Sequence, residues 1–299
     1  MAFAKANLNY AKEYSQALAQ AYPYTLYFGA LWSATKPDVK FLNNNTVILP
    51  SLTVKGRSNG DRDTIGSFAR NFNNAEESKT LKTHRTWNTL VHPRDIDETN
   101  HVASIQNITK VMNEEQKFPE MDAEMITALY SLKNALEAVS EDDVLTAANV
   151  LTKFDKMMDK MDEKRVPGSG RLLYVDTYTK TLIDTAKDVV RTSGNSVLGR
   201  TVSRIDEVEV INVPTSAMKS KFNLKADDGF EVAADAKAVK MMLIHPSVVI
   251  PVITYDFAEL GLPSALSQGK YTYFEESFED VFIYNKKHDA IQFYIEKQS

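Results

Sequence analysis

The stretch from Asn43 to Arg94 constrains this chain more than any other part of it. It opens on a β-like run, Thr46-Val-Ile-Leu-Pro-Ser-Leu-Thr-Val54, and closes on a second, Thr83-His-Arg-Thr-Trp-Asn-Thr-Leu-Val91. Between Lys55 and Lys82 it is polar and dotted with glycine, asparagine and arginine. A loop of this length with no helical pattern is uncommon inside a compact domain. Its middle has too few apolar residues to offset its own ordering entropy. Either the stretch is disordered, or it is a long two-stranded arm that becomes ordered by lying on another molecule. The second reading makes the chain a part of an assembly.

Charge points the same way. The 299 residues carry a net charge of −5, but residues 1–94 alone carry +6 and the remainder −11. Such asymmetry lets one part dock on the other, within a chain or between chains; chance scatter on solvated faces is the bland alternative. An acidic bulk with no basic helix and no aromatic platform argues against a specific nucleic-acid partner. With no cysteine, the chain has no disulfide, no thiol catalysis and no thiolate metal site. No run reaches the roughly 18 apolar residues of a membrane helix, and the N-terminus has no signal-peptide pattern.

Periodicity sketches the rest. Residues 7–22 read as a short amphipathic helix stopped by Pro23, and residues 24–45 as an extended aromatic segment packed on something. Asp95-Ile-Asp-Glu98 reads as a capping box ahead of a helix that Phe118-Pro-Glu120 ends while starting the next. Ser140-Glu-Asp-Asp143 caps a third helix, and Thr177 to Val190 forms a fourth. Arg171-Leu-Leu-Tyr-Val175 is a short buried strand, and Thr201 to Val213 is a hairpin. Val239 to Ile253 is a buried strand broken at His245-Pro246. Lys270 to Ile283 and Ala290 to Ile295 are strands joined as a hairpin through Asn285–Asp289. The fold class is α+β, with early and late strands meeting over long sequence separations.

A search for chemistry finds little. None of the five histidines has metal-ligand spacing on a helix face, and His245 reads as a satisfied core residue. Val166-Pro-Gly-Ser-Gly-Arg171 precedes a strand, so it has no helix N-terminus to hold an anion and reads as a turn. Ser169 lacks the nucleophile-elbow pattern. Nothing assembles nucleophile, base and oxyanion donor.

The order of the pieces is itself a pattern. It runs Leu8-Asn-Tyr-Ala-Lys-Glu-Tyr-Ser-Gln-Ala-Leu18, a β-arm into Trp87 to Val91, Ile96-Asp-Glu-Thr99, and Phe118-Pro-Glu-Met-Asp-Ala123. It continues through Pro167-Gly-Ser-Gly-Arg-Leu-Leu-Tyr-Val175, Arg204-Ile-Asp-Glu-Val208, Val213-Pro-Thr215 and Met241-Met-Leu-Ile-His-Pro-Ser-Val-Val-Ile250 to the C-terminal strands. This collinear series resembles the major capsid protein of tailed bacteriophages. That family has the Hong Kong 97-type fold, also shared by encapsulins, and the series most resembles the group found in phages and prophages of Gram-positive bacteria.

The resemblance implies an N-terminal arm (1–41), an extended E-loop (42–94), a peripheral domain with a spine helix (95–119 and 252–299) and an axial domain (120–251). It implies pentamers and hexamers in an icosahedral shell around double-stranded DNA, assembled in the bacterial host cytoplasm. It implies no cofactor, no catalytic or metal residue and no turnover. Partners would be other copies, a separate scaffolding protein, a portal and decoration proteins. On this reading Lys55, Arg57, Arg62, Arg70, Arg85 and Trp87 would form the E-loop interface. Tyr14, Tyr24, Tyr27, Phe28 and Trp32 would form that of the N-arm. Lys55, Lys79 and Lys82 have no evident activating carboxylate, so no covalent cross-link is expected. Other readings are an encapsulin-type shell, an intracellular α+β enzyme without a local motif, and a nucleic-acid or adaptor binder using the basic N-terminal third.

Overall fold

The strands of this protein gather around one apolar run that has no polar face to turn to water. The computed structural model describes residues 24–34, 40–43, 46–57, 59, 70–99, 104–186, 204–225 and 229–297. A short helix, α1 (Gly29–Trp32), precedes β1 (Lys40–Asn43), β2 (Thr46–Val54), β3 (Phe72–Thr80) and β4 (His84–Val91). Then come α2 (Pro93–Glu98), α3 (Ile105–Met112), α4 (Phe118–Leu136), β5 (Glu141–Asp142) and α5 (Val150–Glu163). β6 (Leu172–Asp176) leads into α6 (Thr177–Thr185), followed by β7 (Arg204–Ile205), β8 (Val208–Val213), β9 (Phe222–Leu224) and β10 (Phe230–Val232). The chain closes with β11 (Val239–Ile244), β12 (Val249–Gly261), β13 (Tyr271–Ile283) and β14 (Ile291–Glu296). The α+β class expected from the sequence is what forms.

β11 carries apolar residues at consecutive positions because helices cover both of its faces. Met242 and Ile244 join a core with Met125, Ile126 and Leu129 of α4 and with Phe28, Leu31 and Trp32. Met241 and Leu243 join the opposite core, built on Val150, Phe154, Met157 and Met161 of α5 and Ile183 of α6. β6 splits likewise, Tyr174 to the first core, Leu173 and Val175 to the second. The sheet runs β5-β14-β11-β6-β8-β7. Its β6–β8 pair is parallel and so needs a crossover. α6 begins that crossover, capped by Asp176, which accepts from the Thr179 amide at 2.7 Å.

A second sheet, β12-β13-β4, continues from the end of β11 through a 3-10 turn at Pro246–Val248. β13 therefore does not pair with β14, as the alternation of both strands predicted. A 3-10 segment, Asn285–Ala290, carries the chain from one sheet to the other. Alternation reports that a strand has two unlike faces; it does not name the neighbour.

Three helix expectations are corrected. α2 starts at Pro93, with His92 Nδ1 accepting from the Arg94 amide at 3.1 Å, so Asp95 is not its cap. Phe118-Pro-Glu120 does not interrupt the helix. A π-turn at Asn113–Lys117 joins α3 to α4 and Pro119 sits in the turn after it. The looser ladder of a π-turn frees backbone groups at the position where proline has no N–H to give. The helix expected directly after Ser140 begins only at Val150, because Glu141 and Asp142 line up parallel to β14 at the sheet edge.

The predicted two-stranded arm exists with a different second strand. β2 pairs with β3 from Thr46↔Thr80 to Val54↔Phe72. β4 instead pairs with β13, from Val91↔Tyr271 to His84↔Phe278. β3 (Phe-Asn-Asn-Ala-Glu-Glu-Ser-Lys-Thr) shows no readable alternation because nearly all of it is in solvent. The helix predicted over 7–22 lies outside the described residues. Residues 24–45 are not uniformly extended: they contain α1 and β1.

One buried carboxylate fixes where the N-terminal segment enters. Asp122 of α4, 0% exposed, accepts from the Tyr27 amide at 2.8 Å, the Phe28 amide at 3.0 Å and the Tyr24 hydroxyl at 3.0 Å. Phe28 then packs at a tilt against Tyr174, ring centroids 4.8 Å apart. Asp122→Ala strands two amides in the core and should cost about 2–4 kcal/mol in urea unfolding. Asp122→Asn keeps one acceptor oxygen and should cost less. Equal losses for the two variants would show that the carboxylate acts by volume alone.

Candidate functional site

The β2–β3 arm is apolar on opposite faces at its two ends. At the base, Val47 and Leu49 are buried against Leu81, Ile250, Val252 and Phe282. The pleat turns Leu52 and Val54 to the other face, with Phe72 directly across from Val54. These three are 59%, 61% and 48% exposed. Arg70 lies over the Phe72 ring at 4.8 Å, and the Lys55 amide donates to the Asn71 carbonyl at 2.8 Å, which extends the ladder beyond Val54. Of the basic residues singled out from the sequence, Lys55, Arg57 and Arg70 are exposed at this end, and Arg62 lies outside the described residues. The arm is tied to the body at this end as well as further back. Lys286 Nζ reaches the Leu52 carbonyl at 3.1 Å, and Lys79 Nζ reaches Asn285 Oδ1 at 2.9 Å. An apolar strip rimmed by cations, on a projecting hairpin, is a surface shaped for contact.

Arg85 and Trp87 are not on the arm, because β4 belongs to the second sheet. Arg85 makes a two-pronged ion pair with Glu120 of α4, at 2.6 and 2.9 Å, and also donates to the carbonyls of Lys225 and Gly229. Its charge is neutralised within its own chain. Trp87 packs on Tyr273, centroids 5.7 Å apart.

Between the α3–α4 helix and the β12-β13-β4 sheet lies a charged layer with a cavity of about 220 Å³. Lys117 pairs with Glu275 at 3.3 Å and His84 with Glu276 at 2.7 Å. Glu124 and Glu279 are buried here. Burial pushes the Glu279 carboxyl up to about 6, against the pull of Lys117. Burial, and then the charge of Glu279, push that of Glu124 up to about 9, and its Oε1 has no partner. Burial likewise raises Asp122 to about 6 against its three donors.

The N-terminal aromatics divide. Tyr24 and Tyr27 are partly exposed and meet edge to face at 5.1 Å. Phe28 has no exposed surface and Trp32 only 9%, so both rings are committed to their own core and leave nothing for a neighbour. Tyr14 lies outside the described residues. Sequence reasoning missed Asp122 and Glu124, and Glu279, which with Asp280 reads from the sequence as part of a solvent or interface face, is instead buried. The available signal was a carboxylate at i−3 from Met125 (Asp122), inside an otherwise apolar helical stripe.

His245 is fixed structurally: Nδ1 meets the Ser247 amide and hydroxyl, and Nε2 meets the Ser169 carbonyl at 3.2 Å. Arg171, fully buried, closes the Pro167–Gly170 turn by donating to the Pro167 and Val166 carbonyls and to Asp162. Glu137, His288 and Asp289 bring three potential metal-ligating atoms within 4.8 Å of one another, but Lys133 and Lys164 already pair with the two carboxylates.

No family model and no curated relative matches the sequence. Solved structures match over the whole chain. A chain from the mature capsid of bacteriophage PhiM1 is 12% identical, with a TM-score of 0.70, covering 97% of this chain and 93% of that one. A chain from the capsid of the cyanophage P-SCSP1u is 12% identical, with a TM-score of 0.69 and the same coverages. One from the capsid of Ralstonia phage GP4 is 7% identical, with a TM-score of 0.61, covering 100% and 98%. The fold of this chain is thus the phage capsid fold that its sequence resembles.

The raised carboxyls have a pH signature. A carboxyl with a higher folded than unfolded pKa binds its proton more tightly when folded, so stability falls as pH rises between the two values. For Glu124 that window runs from its usual 4.5 to about 9. Glu124→Gln should therefore stabilise the protein by roughly 1–3 kcal/mol at pH 8 and by little at pH 4.5. Urea unfolding across that range checks it.

Proposed function

We propose that this chain is the major capsid protein of a tailed bacteriophage, which assembles in many copies into pentamers and hexamers of an icosahedral shell. The observation that carries the reading is reciprocal coverage: phage capsid chains match this chain end to end, with no large segment left over on either side. The uncovered apolar strip on the arm supports it, since apolar residues turned away from their own core gain stability by lying on a neighbour.

In this reading the β2–β3 arm is the E-loop, and the helix from α3 through the π-turn is the spine. The β12-β13-β4 sheet belongs to the peripheral domain and the six-stranded sheet with α4–α6 to the axial domain. The pairing of β4 with β13 supports ending the E-loop at the turn before β4 rather than at residue 94. The role is architectural rather than catalytic. The enclosed cargo would be double-stranded DNA, with a separate scaffolding protein, a portal and decoration proteins as partners, and assembly would take place in the host cytoplasm.

Negative-stain electron microscopy of the expressed chain, alone and with its candidate scaffold, should show rings or closed shells. A strictly monomeric product under both conditions would sink the reading. The triple variant Leu52→Ser, Val54→Ser, Phe72→Ser should abolish particles while shifting monomer stability by less than about 0.5 kcal/mol per site, as expected of exposed positions. Particles forming normally from that variant would remove the arm strip from the interface.

A further inference from the structure

A second cavity, of about 190 Å³, lies where α4, β9 and β13 meet beside Thr83. Glu124 lines it and is only 8% exposed. Its Oε1 is closed to water and has no hydrogen-bond partner among the described residues. The charges that act most strongly on Glu124 are carboxylates: Glu279, then Asp280 and Glu120. Each of those three acids also feels a cation. Arg85 holds Glu120, Lys117 acts on Glu279, and Lys82 acts on Asp280. Glu124 is helped only by a hydrogen bond from the Thr83 side chain. Neither of its protonation states is satisfied there. Ionised, the carboxylate has no counter-ion; neutral, Oε1 is still a buried polar atom with nothing to bond. A bound cation with hydrogens to donate would answer both needs.

The lining decides which cation fits. Asp280 already accepts from the amides of Lys82 and Val281, at 3.0 and 2.9 Å, and the Thr127 hydroxyl accepts from the Phe222 amide at 3.0 Å. These groups have lone pairs to spare, but Glu124 Oε1 is the oxygen with all of its capacity open. A calcium ion takes roughly six to eight oxygen ligands, more than this set can give. An ammonium needs only a few acceptors for its N–H groups. The rest of the wall is apolar, with Ala123, Ala128, Phe222 and Leu224, which suits an alkyl stem below a charged head. We infer that this cavity is a binding site for a primary alkylammonium, either a free amine or the end of a lysine side chain. Glu124 is its counter-ion, Asp280 and Thr127 are further acceptors, and the carbon chain lies against Phe222 and Leu224. The site is built within one chain, so it stands apart from the shell reading.

Calorimetric titration of the full chain with n-butylammonium chloride tests it. One butylammonium should bind per chain, with a Kd of about 1 mM for so small a ligand. n-Butanol has the carbon chain without the charge, and tetramethylammonium has the charge without N–H donors. Each should bind about tenfold more weakly or worse. Glu124→Gln keeps the shape of the side chain and should weaken butylammonium by a similar factor. Nα-acetyl-lysine amide separates the two sources of the ligand. If it binds as butylammonium does, a protein side chain can occupy the site; if it is shut out while butylammonium binds, the occupant is a free amine. Butanol binding as well as butylammonium would make the cavity an apolar void. Calcium chloride binding where butylammonium does not would make it a metal site, and undiminished binding by Glu124→Gln would place the amine elsewhere. Any of these three results overturns the inference.

Discussion

The architecture depends on a sheet that is buried on both faces. Leu172 to Val175 of β6 and Met241 to Ile244 of β11 are apolar at every position, because one side meets α4 with the N-terminal segment and the other meets α5 and α6. Such a sheet holds its elements tightly and offers no surface of its own. Surface for contact has to be carried on extensions of the same strands. β11 runs through a single 3-10 turn into β12, so the second sheet and the arm resting on it are rigidly continuous with the core.

Polar groups follow from that division. Where the helix from α3 to α4 crosses the second sheet, the layer between them is charged rather than apolar. Arg85 and Lys117 are bound to glutamates, and Glu124 and Glu279 lie deeper still. A charged layer is a poor source of stability, since desolvation offsets most of the attraction. It does fix geometry, because each ion pair is satisfied in one register only. The apolar core supplies stability on one side of α4, and the charged layer sets orientation on the other. Asp122 shows the same logic on a smaller scale: one carboxylate with three donors decides how the N-terminal segment enters.

How much of this was legible in the sequence depends on whether a residue's environment is local. The Val239–Ile253 run, with its break at His245-Pro246, was readable because burial on both faces writes itself into consecutive residues. The existence of an arm was readable from composition. Its second strand was not, since β3 is nearly all in solvent and its pairing rests on backbone bonds that leave no side-chain pattern. The β13–β14 pairing was misread because two alternating strands close in sequence look the same whether they pair or part. Pro119 was misread because a π-turn is a property of the backbone ladder. The buried acids were invisible because charge at a buried position is explained only by elements distant in sequence, such as Glu124 of α4 facing Glu279 of β13.

The arm makes the sharpest physical case for a chain built to be incomplete. A β-strand has two faces, and in one chain one of them is ordinarily given to water. β2 is apolar on different faces at its two ends: Val47 and Leu49 turn inward at the base, while Leu52 and Val54 turn the other way, into solvent, at the tip. No bulge or twist within a nine-residue strand reverses a pleat, and its pairing with β3 is regular throughout. The apolar residues at the tip therefore cannot be reached by the core that holds the base. They are placed for a surface on the far side of the hairpin, and among the described residues this chain supplies none. A surface on another molecule meets that requirement with no new chemistry, since the strip needs only an apolar partner.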